Sequence, residues 1–162
     1  MADILELTNE LAYRTYFMNR GQIRKQLREM NMLEYIALQM IIRTEAVDSR
    51  NTERAYLKDL AENLQLTTRQ ASRLTGALKE RGLVTWSHDG DGSEGTYLSV
   101  TGSGKELVAK NEWILQTYYS RVIEKYGQEN MSRLLMMMKD LETVMHGEYK
   151  NMEDELDDRP LA

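Results

Sequence analysis

The most constraining stretch of this chain is residues 57–84, which read LKDLAENLQLTTRQASRLTGALKERGLV. Apolar residues recur there at helical spacing in two short segments, which predict helices over 56–64 and 67–81. Thr67 is a good N-cap for the second helix, and Gln70 can close a capping box with it. The connection between the two is only Gln65-Leu66-Thr67, so the stretch predicts a pair of helices joined by a tight turn.

A two-stranded hairpin is predicted directly after this pair. Gly82 suits the left-handed residue that ends a helix. Val84 and Trp86 then alternate with polar residues, and a second extended run ends at Val100. The segment between the runs, HDGDGSEG, is dense in turn residues. Helix, turn, helix and hairpin in this order make a winged helix-turn-helix, a unit that lays its second helix in the major groove of DNA.

The outward face of the second helix carries side chains of the kind that contact bases and phosphates. Its apolar residues, Ala71, Leu74 and Leu78, predict the opposite, buried face. Arginine suits guanine, glutamine suits adenine, and hydroxyl groups suit either base or phosphate. An ordinary amphipathic helix with a solvated face is the alternative. The candidate contacts are Thr67, Thr68, Arg69, Gln70, Ser72 and Arg73, with Ser87 and His88 from the hairpin.

Gly76 and Glu80 share the outward face with Arg69 and Arg73. A glycine there costs about 1 kcal/mol of helix stability relative to alanine, and a close approach to a DNA backbone would explain that cost. Residues 54–81 carry a net charge of +3 within a chain of net charge −5. A basic element on an acidic chain is typical of a module that meets phosphates at one place.

The hairpin is unusual because residues 82–104 contain no Lys or Arg, while its tip holds Asp89, Asp91 and Glu94. We therefore expect the hairpin either to stand back from DNA or to make neutral contacts, with a shallow salt dependence. The loop also partly matches a calcium-binding EF-hand. However, Glu94 stands where glycine is needed and Val100 where a bidentate glutamate is needed, so a solvated tip without metal is expected.

At this level the chain resembles the multiple-antibiotic-resistance regulator (MarR) family. The residues that carry the resemblance are LKDLAENL, TTRQASRLTGALKERGLV and YLSVTGSGKEL, and it extends over nearly the whole length. It implies a mainly α fold with a small β-wing, in which N- and C-terminal dimerisation helices flank the winged helix-turn-helix. It also implies a homodimer, a pseudo-palindromic operator and a small-molecule inducer, hence a repressor. Wings in the family usually carry an Arg in a D-x-R pattern, which this chain lacks.

The flanking segments complete one predicted domain over 1–162. A helical stripe spans 3–28, Asn31 can cap the next helix together with Glu34, and Thr101 or Ser103 can cap the one after the hairpin. Gly127 should separate two long helices, 105–125 and 128–149, and at least one of the three consecutive methionines 136–138 must be exposed in a single chain. We assign about 1–30 and 105–149 to dimerisation, 33–103 to the winged motif, and 150–162 to an acidic tail. Its acidic run, 153–158, is expected to be solvated and disordered.

Composition bears on the remaining classes of function. No nucleophile–base pair, P-loop or dinucleotide fingerprint is present, so we predict neither an enzyme nor a cofactor. The absence of cysteine excludes disulfides and thiol sensing, and no apolar run approaches the roughly 20 residues that span a bilayer. The N-terminus lacks a basic region, which predicts a cytoplasmic protein. A winged-helix protein-interaction module with weak or no DNA affinity is the alternative function.

An effector site is predicted only weakly. The aromatic residues Tyr13, Tyr16 and Phe17 cluster on the first helix, and Trp113 lies on the long helix after the hairpin. Such rings can hold a flat aromatic or phenolic ligand in a pocket, as the family resemblance implies. Plain core and interface aromatics are the alternative interpretation.

Overall fold

A computed structural model describes residues 3–46, 54–90 and 95–157. Six helices and three short strands follow one another along these residues, with a 3₁₀ turn, Gln22–Gln26, after the first helix. The elements are α1 Ile4–Asn19, α2 Met32–Ala46, β1 Ala55–Tyr56, α3 Leu57–Asn63, α4 Thr68–Glu80, β2 Val84–His88, β3 Thr96–Val100, α5 Gly102–Tyr126 and α6 Gln128–Asp157. The predicted fold class, mainly α with a small β-wing, is confirmed.

The chain divides into two compact units, residues 1–116 and 117–162. In the first unit, α2, α3, α4 and the sheet enclose a core in which Leu38, Ile41 and Leu78 are fully buried. Every residue of α1 is exposed. No helix in the described residues is both long and apolar enough to cross a membrane.

The helix-turn-helix forms where the sequence predicts it. Leu57, Leu60 and Ala61 of α3 are buried in the core, as their spacing requires. The turn is closed by Gln65 in the left-handed region (φ 56°), and the backbone N–H of Leu66 donates to the carbonyl of Ala61 at 2.8 Å. Gly82 ends the second helix at φ 73°, a conformation that costs glycine little because it has no Cβ. Both motif helices are thereby fixed against one core.

The predicted two-stranded wing is wrong in one respect, since the sheet has three antiparallel strands in the order β1-β3-β2. Ala55 pairs with Leu98 and Tyr56 with Tyr97. Strand β1 has only two residues, too few to show an alternating pattern in the sequence. The helix predicted to begin at Tyr56 consequently begins at Leu57.

The entry to α2 is capped as predicted, but the preceding stripe is not one helix. The Asn31 backbone N–H donates to the Glu34 carboxylate at 3.1 Å, and the Glu34 N–H donates to Asn31 Oδ1 at 2.9 Å. Helix α1 ends at Asn19, not near residue 28, and Gly21 precedes the 3₁₀ turn. A glycine and the tighter turn interrupt the α-helical geometry that the apolar spacing alone suggested.

Helix α5 is capped by Thr101 and packs closely on the end of the helix-turn-helix. Thr101 Oγ1 accepts a hydrogen bond from the Gly104 N–H at 3.1 Å and donates to the Gly82 carbonyl at 2.6 Å. A Cβ at residue 104 would collide with the Leu83 carbonyl oxygen and the Val100 side chain. Only glycine allows α5 to approach this closely, so the start of α5 is fixed to the junction between α4 and β2.

In the second unit, the break at Gly127 is confirmed and α6 is longer than predicted. It continues through Asp157 instead of ending at Tyr149, so residues 153–157 of the acidic run are helical and not disordered as their charge suggested. These residues are mainly good helix formers, and the nearest proline is Pro160. Met136 and Met137 are each 70% exposed in the single chain, which confirms the expectation for this run.

Candidate nucleic-acid interface

The first turn of α4 is held by the predicted capping box. Thr67 Oγ1 accepts a hydrogen bond from the Gln70 N–H at 3.1 Å, and the Gln70 side-chain oxygen accepts one from the Thr67 N–H at 2.9 Å. Thr67, Thr68 and Gln70 are all exposed. The side-chain oxygens of Thr67 and Gln70 serve the cap, and the Gln70 amide group retains its N–H donors for a ligand.

Arg69 and Arg73 lie four residues apart on the solvent side of α4, and both are exposed. Within the part of the chain that the structure describes, neither arginine is in an ion pair. Residues four apart are neighbours on one helix face, so the two guanidinium groups form a single basic ridge. Ser72 beside them is half-buried, because it lies toward the core side of the same helix.

Gly76 lies beside the wing, and this corrects the explanation suggested for it. A Cβ at residue 76 would lie 3.9 Å from Trp86 Cζ2, an ordinary contact, so the bare position faces the indole of β2 and is only half exposed. The Lys79 ammonium lies 5.1 Å from the centre of the Trp86 ring. This cation–π contact joins the end of α4 to the wing.

The outer face of the wing is tied to β1 by Asp89. Its carboxylate accepts a hydrogen bond from the Tyr56 hydroxyl at 2.7 Å and pairs with the Arg54 guanidinium at 3.1 Å. The Tyr56 hydrogen bond and the Arg54 charge lower the pKa of Asp89, and the same hydrogen bond raises the pKa of Tyr56. The Arg54 guanidinium also lies 4.5 Å from the centre of the Tyr97 ring. One of the expected repulsive carboxylates is therefore already neutralised by its partner.

The two wing residues predicted to contact DNA are in different situations. Ser87 is half-buried on β2, opposite Tyr97, while His88 ends the strand and is exposed. The Thr96 hydroxyl and His88 Nδ1 lie 3.2 Å apart in a hydrogen bond. Asp91 and Glu94, the other acidic residues of the tip, lie outside the described residues.

The predicted effector residues are not gathered in a cavity of the described chain. Tyr13, Tyr16 and Phe17 are 56–60% exposed on α1, and Trp113 is 69% exposed on α5. The Tyr16 and Phe17 rings meet edge to face at 5.3 Å. Two clefts of the described residues, about 520 and 490 Å³, are lined by other side chains. The role of Tyr13, Tyr16, Phe17 and Trp113 in effector binding stays a prediction.

Sequence reasoning missed the two aromatic anchors of the wing. The sequence pattern places Trp86 in the first predicted strand of the hairpin and Tyr97 in the second, and it predicts no contact for either ring. Lys79 is seven residues before Trp86, and Arg54 lies 43 residues before Tyr97, so neither contact follows a local period. The one available signal was indirect: the wing has no basic residue of its own, and the nearest cations precede it in the sequence.

Comparison with known proteins supports the fold at low sequence identity. No protein-family model and no curated protein sequence matches the chain. Solved structures do match it. A MarR-family regulator from Neisseria meningitidis is 20% identical, with 93% of this chain and 99% of that chain covered and a TM-score of 0.63. MepR of S. aureus in its DNA-binding conformation is 16% identical, with 85% and 98% covered and a TM-score of 0.67.

A third similar structure is that of CouR from Rhodococcus jostii RHA1 bound to p-coumaroyl-CoA. It is 18% identical, with 81% of this chain and 88% of that chain covered and a TM-score of 0.64. All three similarities extend over most of both chains and not over the helix-turn-helix alone. The fold implied by the motif resemblance is confirmed: the chain adopts the fold of the MarR-family transcriptional regulators.

Proposed function

We propose that this chain is a dimeric, DNA-binding transcription regulator, and that it acts as a repressor. The observation that carries the proposal is the ridge formed by Arg69 and Arg73, which is exposed and without an ion pair among the described residues. It lies on the second helix of a winged helix-turn-helix, the element that enters the major groove in such proteins. The MepR structure, in a DNA-binding conformation, supports the assignment.

In this proposal, Arg69 and Arg73 make the main groove contacts, while Thr67, Thr68, Gln70 and Ser72 hold the helix against backbone and bases. Arginine is the side chain best suited to a bidentate contact with guanine, and its charge also suits phosphate. Two such helices, related by a two-fold axis, would meet half-sites about 10 base pairs apart. Ser87 and His88 would add neutral contacts from the wing.

The dimer is proposed from the apolar surface that each unit exposes. On α1, Ile4 is 80% and Leu5 66% exposed, and on α6, Met136 is 70% and Val144 61% exposed. Large apolar side chains this exposed on two helices of a single chain suit burial against a second copy. Sedimentation velocity should give a dimer at micromolar concentration, and a monomer under the same conditions would contradict this part of the proposal.

The experiment for DNA binding is fluorescence anisotropy with a labelled random duplex at low salt. Binding that weakens as salt rises supports the regulator, because phosphate contacts release counterions. No binding favours the alternative, a winged-helix module that binds another protein. The acidic wing and the net charge of −5 are the observations that favour that alternative. Selection of bound sequences from a random pool would then identify the operator.

A small aromatic effector that releases the DNA is the remaining part of the proposal. The structure of CouR with p-coumaroyl-CoA supports an effector step in a protein of this fold. On this chain, Tyr13, Tyr16, Phe17 and Trp113 would contribute the rings. Loss of operator binding on addition of an aromatic acid, absent in a Phe17→Ser variant, would support their role.

A further inference from the structure

The C-terminal end of the recognition helix α4 is tied to the start of α2 through Arg81. One Arg81 nitrogen donates to the Glu34 carboxylate at 3.1 Å, and another donates to the backbone carbonyl of Glu29. The Arg81 side chain is 39% and the Glu34 side chain 16% exposed. The same Glu34 oxygen also accepts the Asn31 N–H that caps α2. Arg81 thus reaches a carboxylate whose position is already fixed by the helix cap.

Glu29 belongs to a backbone turn at residues 28–29, and Asn111 of α5 holds this turn in place. Asn111 is fully buried, and its side chain pairs with both backbone groups of Arg28, at 2.7 Å to the N–H and 3.0 Å to the carbonyl. A third hydrogen bond, to the Leu107 carbonyl at 2.9 Å, fixes the amide on its own helix. Glu29 itself adopts φ 57°, a left-handed conformation that is unusual for a residue other than glycine.

These contacts form an unbroken path from α5, through the 28–29 turn, to Arg81 at the C-cap of α4. A buried amide with all its partners satisfied is costly to rearrange, so the turn behaves as a rigid support. Asn111 contributes a short, fully buried side chain to this path, whereas Arg81 contributes a long one that is 39% exposed. A helix that reads base edges needs its angle fixed, because small rotations move its arginines away from the groove.

We propose that Arg81 and Asn111 are positioning residues that set the angle of the recognition helix relative to α5 without contacting DNA. This inference rests on the proposed DNA-binding function. Arg81 already has a carboxylate and a carbonyl as partners, whereas Arg69 and Arg73 have no ion-pair partner in the described residues. The orienting role therefore belongs to Arg81 and the contacting role to the other two.

Glu34→Gln is the decisive variant, because the two roles predict opposite signs. If Arg81 were a phosphate contact, removing its neighbouring carboxylate would free it and strengthen binding. If Arg81 positions the helix, the same change weakens the charge-assisted hydrogen bond, and we expect a loss of about tenfold in specific affinity. Glu112→Gln is the matched control, since it removes one exposed carboxylate from α5, outside the helix-turn-helix, that is in no ion pair within the described chain.

Arg81→Lys tests the geometry, because lysine keeps the charge but cannot make the forked contact. We expect a similar loss for Arg81→Lys, with the salt slope unchanged. A phosphate contact removed by Arg81→Ala would instead lower the salt slope by about one per protomer. Glu34→Gln that binds as well as or better than wild type, or an Arg81→Ala variant with a reduced slope, would overturn the inference.

Amide hydrogen exchange supplies a readout that does not depend on DNA. The N–H groups of Arg81, Gly82 and Leu83 all donate to carbonyls in the last turn of α4, at 2.9–3.3 Å. Exchange there should be faster in Glu34→Gln than in Glu112→Gln or wild type, while the amides of Leu38 and Ile41 keep their protection. Equal exchange in all three proteins would reject the inference. If the wild-type protein binds no duplex, the proposed function is wrong, whereas the hydrogen-exchange comparison still tests whether Arg81 and Glu34 hold the end of α4.

Discussion

Replacing Arg73 by alanine should weaken DNA binding and flatten its dependence on salt. Arg73 is exposed on α4 one turn from Arg69, and neither arginine is engaged by a carboxylate of the described residues. Each can take a phosphate or a guanine edge without first giving up an internal partner. Because the side chain projects into solvent, its removal should leave the fold and the dimer intact.

The size of the effect follows from the number of cations that α4 offers. Its basic residues are Arg69, Arg73 and Lys79, while Arg54 and Arg81 nearby are paired with acidic residues. If all three contact phosphates in both protomers, the logarithm of affinity should fall with that of salt at a slope of about −5. Arg73→Ala removes one contact per protomer, so the slope should become about −4. Specific binding should lose about 1–3 kcal/mol.

The assay is anisotropy with a duplex carrying the selected operator, titrated between about 50 and 200 mM salt. Lys139→Ala is the control, since it removes the same charge from an exposed position of α6, outside the helix-turn-helix. A wild-type slope near −9, as for about ten phosphate contacts, would refute the view that only the three cations of α4 in each protomer contact phosphates. Wild-type affinity in Arg73→Ala would remove this residue from the interface altogether.

Three further outcomes can be measured on single variants. Gly76→Ala should raise the free energy of unfolding by up to about 1 kcal/mol, because the new Cβ makes only an ordinary contact with Trp86. If the variant instead lost DNA affinity, the earlier explanation, a close approach of the DNA backbone to Gly76, would be correct. Asp89→Asn should lower stability at neutral pH relative to wild type. Since Tyr56 and Arg54 depress the Asp89 pKa, that difference should shrink as pH falls below about 4, and a difference that grew in acid would contradict the assigned cause. Met136→Lys should shift the sedimentation equilibrium toward monomer, whereas an unchanged dimer would place the interface elsewhere.

The parts of the fold that sequence reasoning predicted well are those governed by local chemistry. The capping box at Thr67, the Asn31 cap, the Thr101 cap and the left-handed Gly82 each depend on residues only a few positions apart. Such hydrogen bonds form whenever the backbone turns, whatever surrounds them. The exposed pair Arg69 and Arg73 followed from the same logic, because helical spacing alone separates it from the buried face.

The parts that failed depend on partners distant in sequence or on very short elements. Strand β1 consists of Ala55 and Tyr56 and exists because β3 offers an edge, which no local pattern reveals. The contact that ties α5 to the 28–29 turn spans 83 residues. The prediction for the acidic end of α6 was wrong for a different reason: it rested on the charge of this segment and not on its helix-forming composition.

The wing is best understood as a brace for the recognition helix. Its inner face presents Trp86 to Gly76 and Lys79 of α4, and its outer face fixes Asp89 to β1 through Arg54 and Tyr56. A hairpin anchored on both faces does not need a basic tip to hold the helix in place. On the proposed function, sequence specificity then comes from α4. Exchanging its exposed residues Thr68, Arg69, Gln70 and Arg73 should change the operator preferred, whereas changes at the wing tip should alter affinity alike for all duplexes.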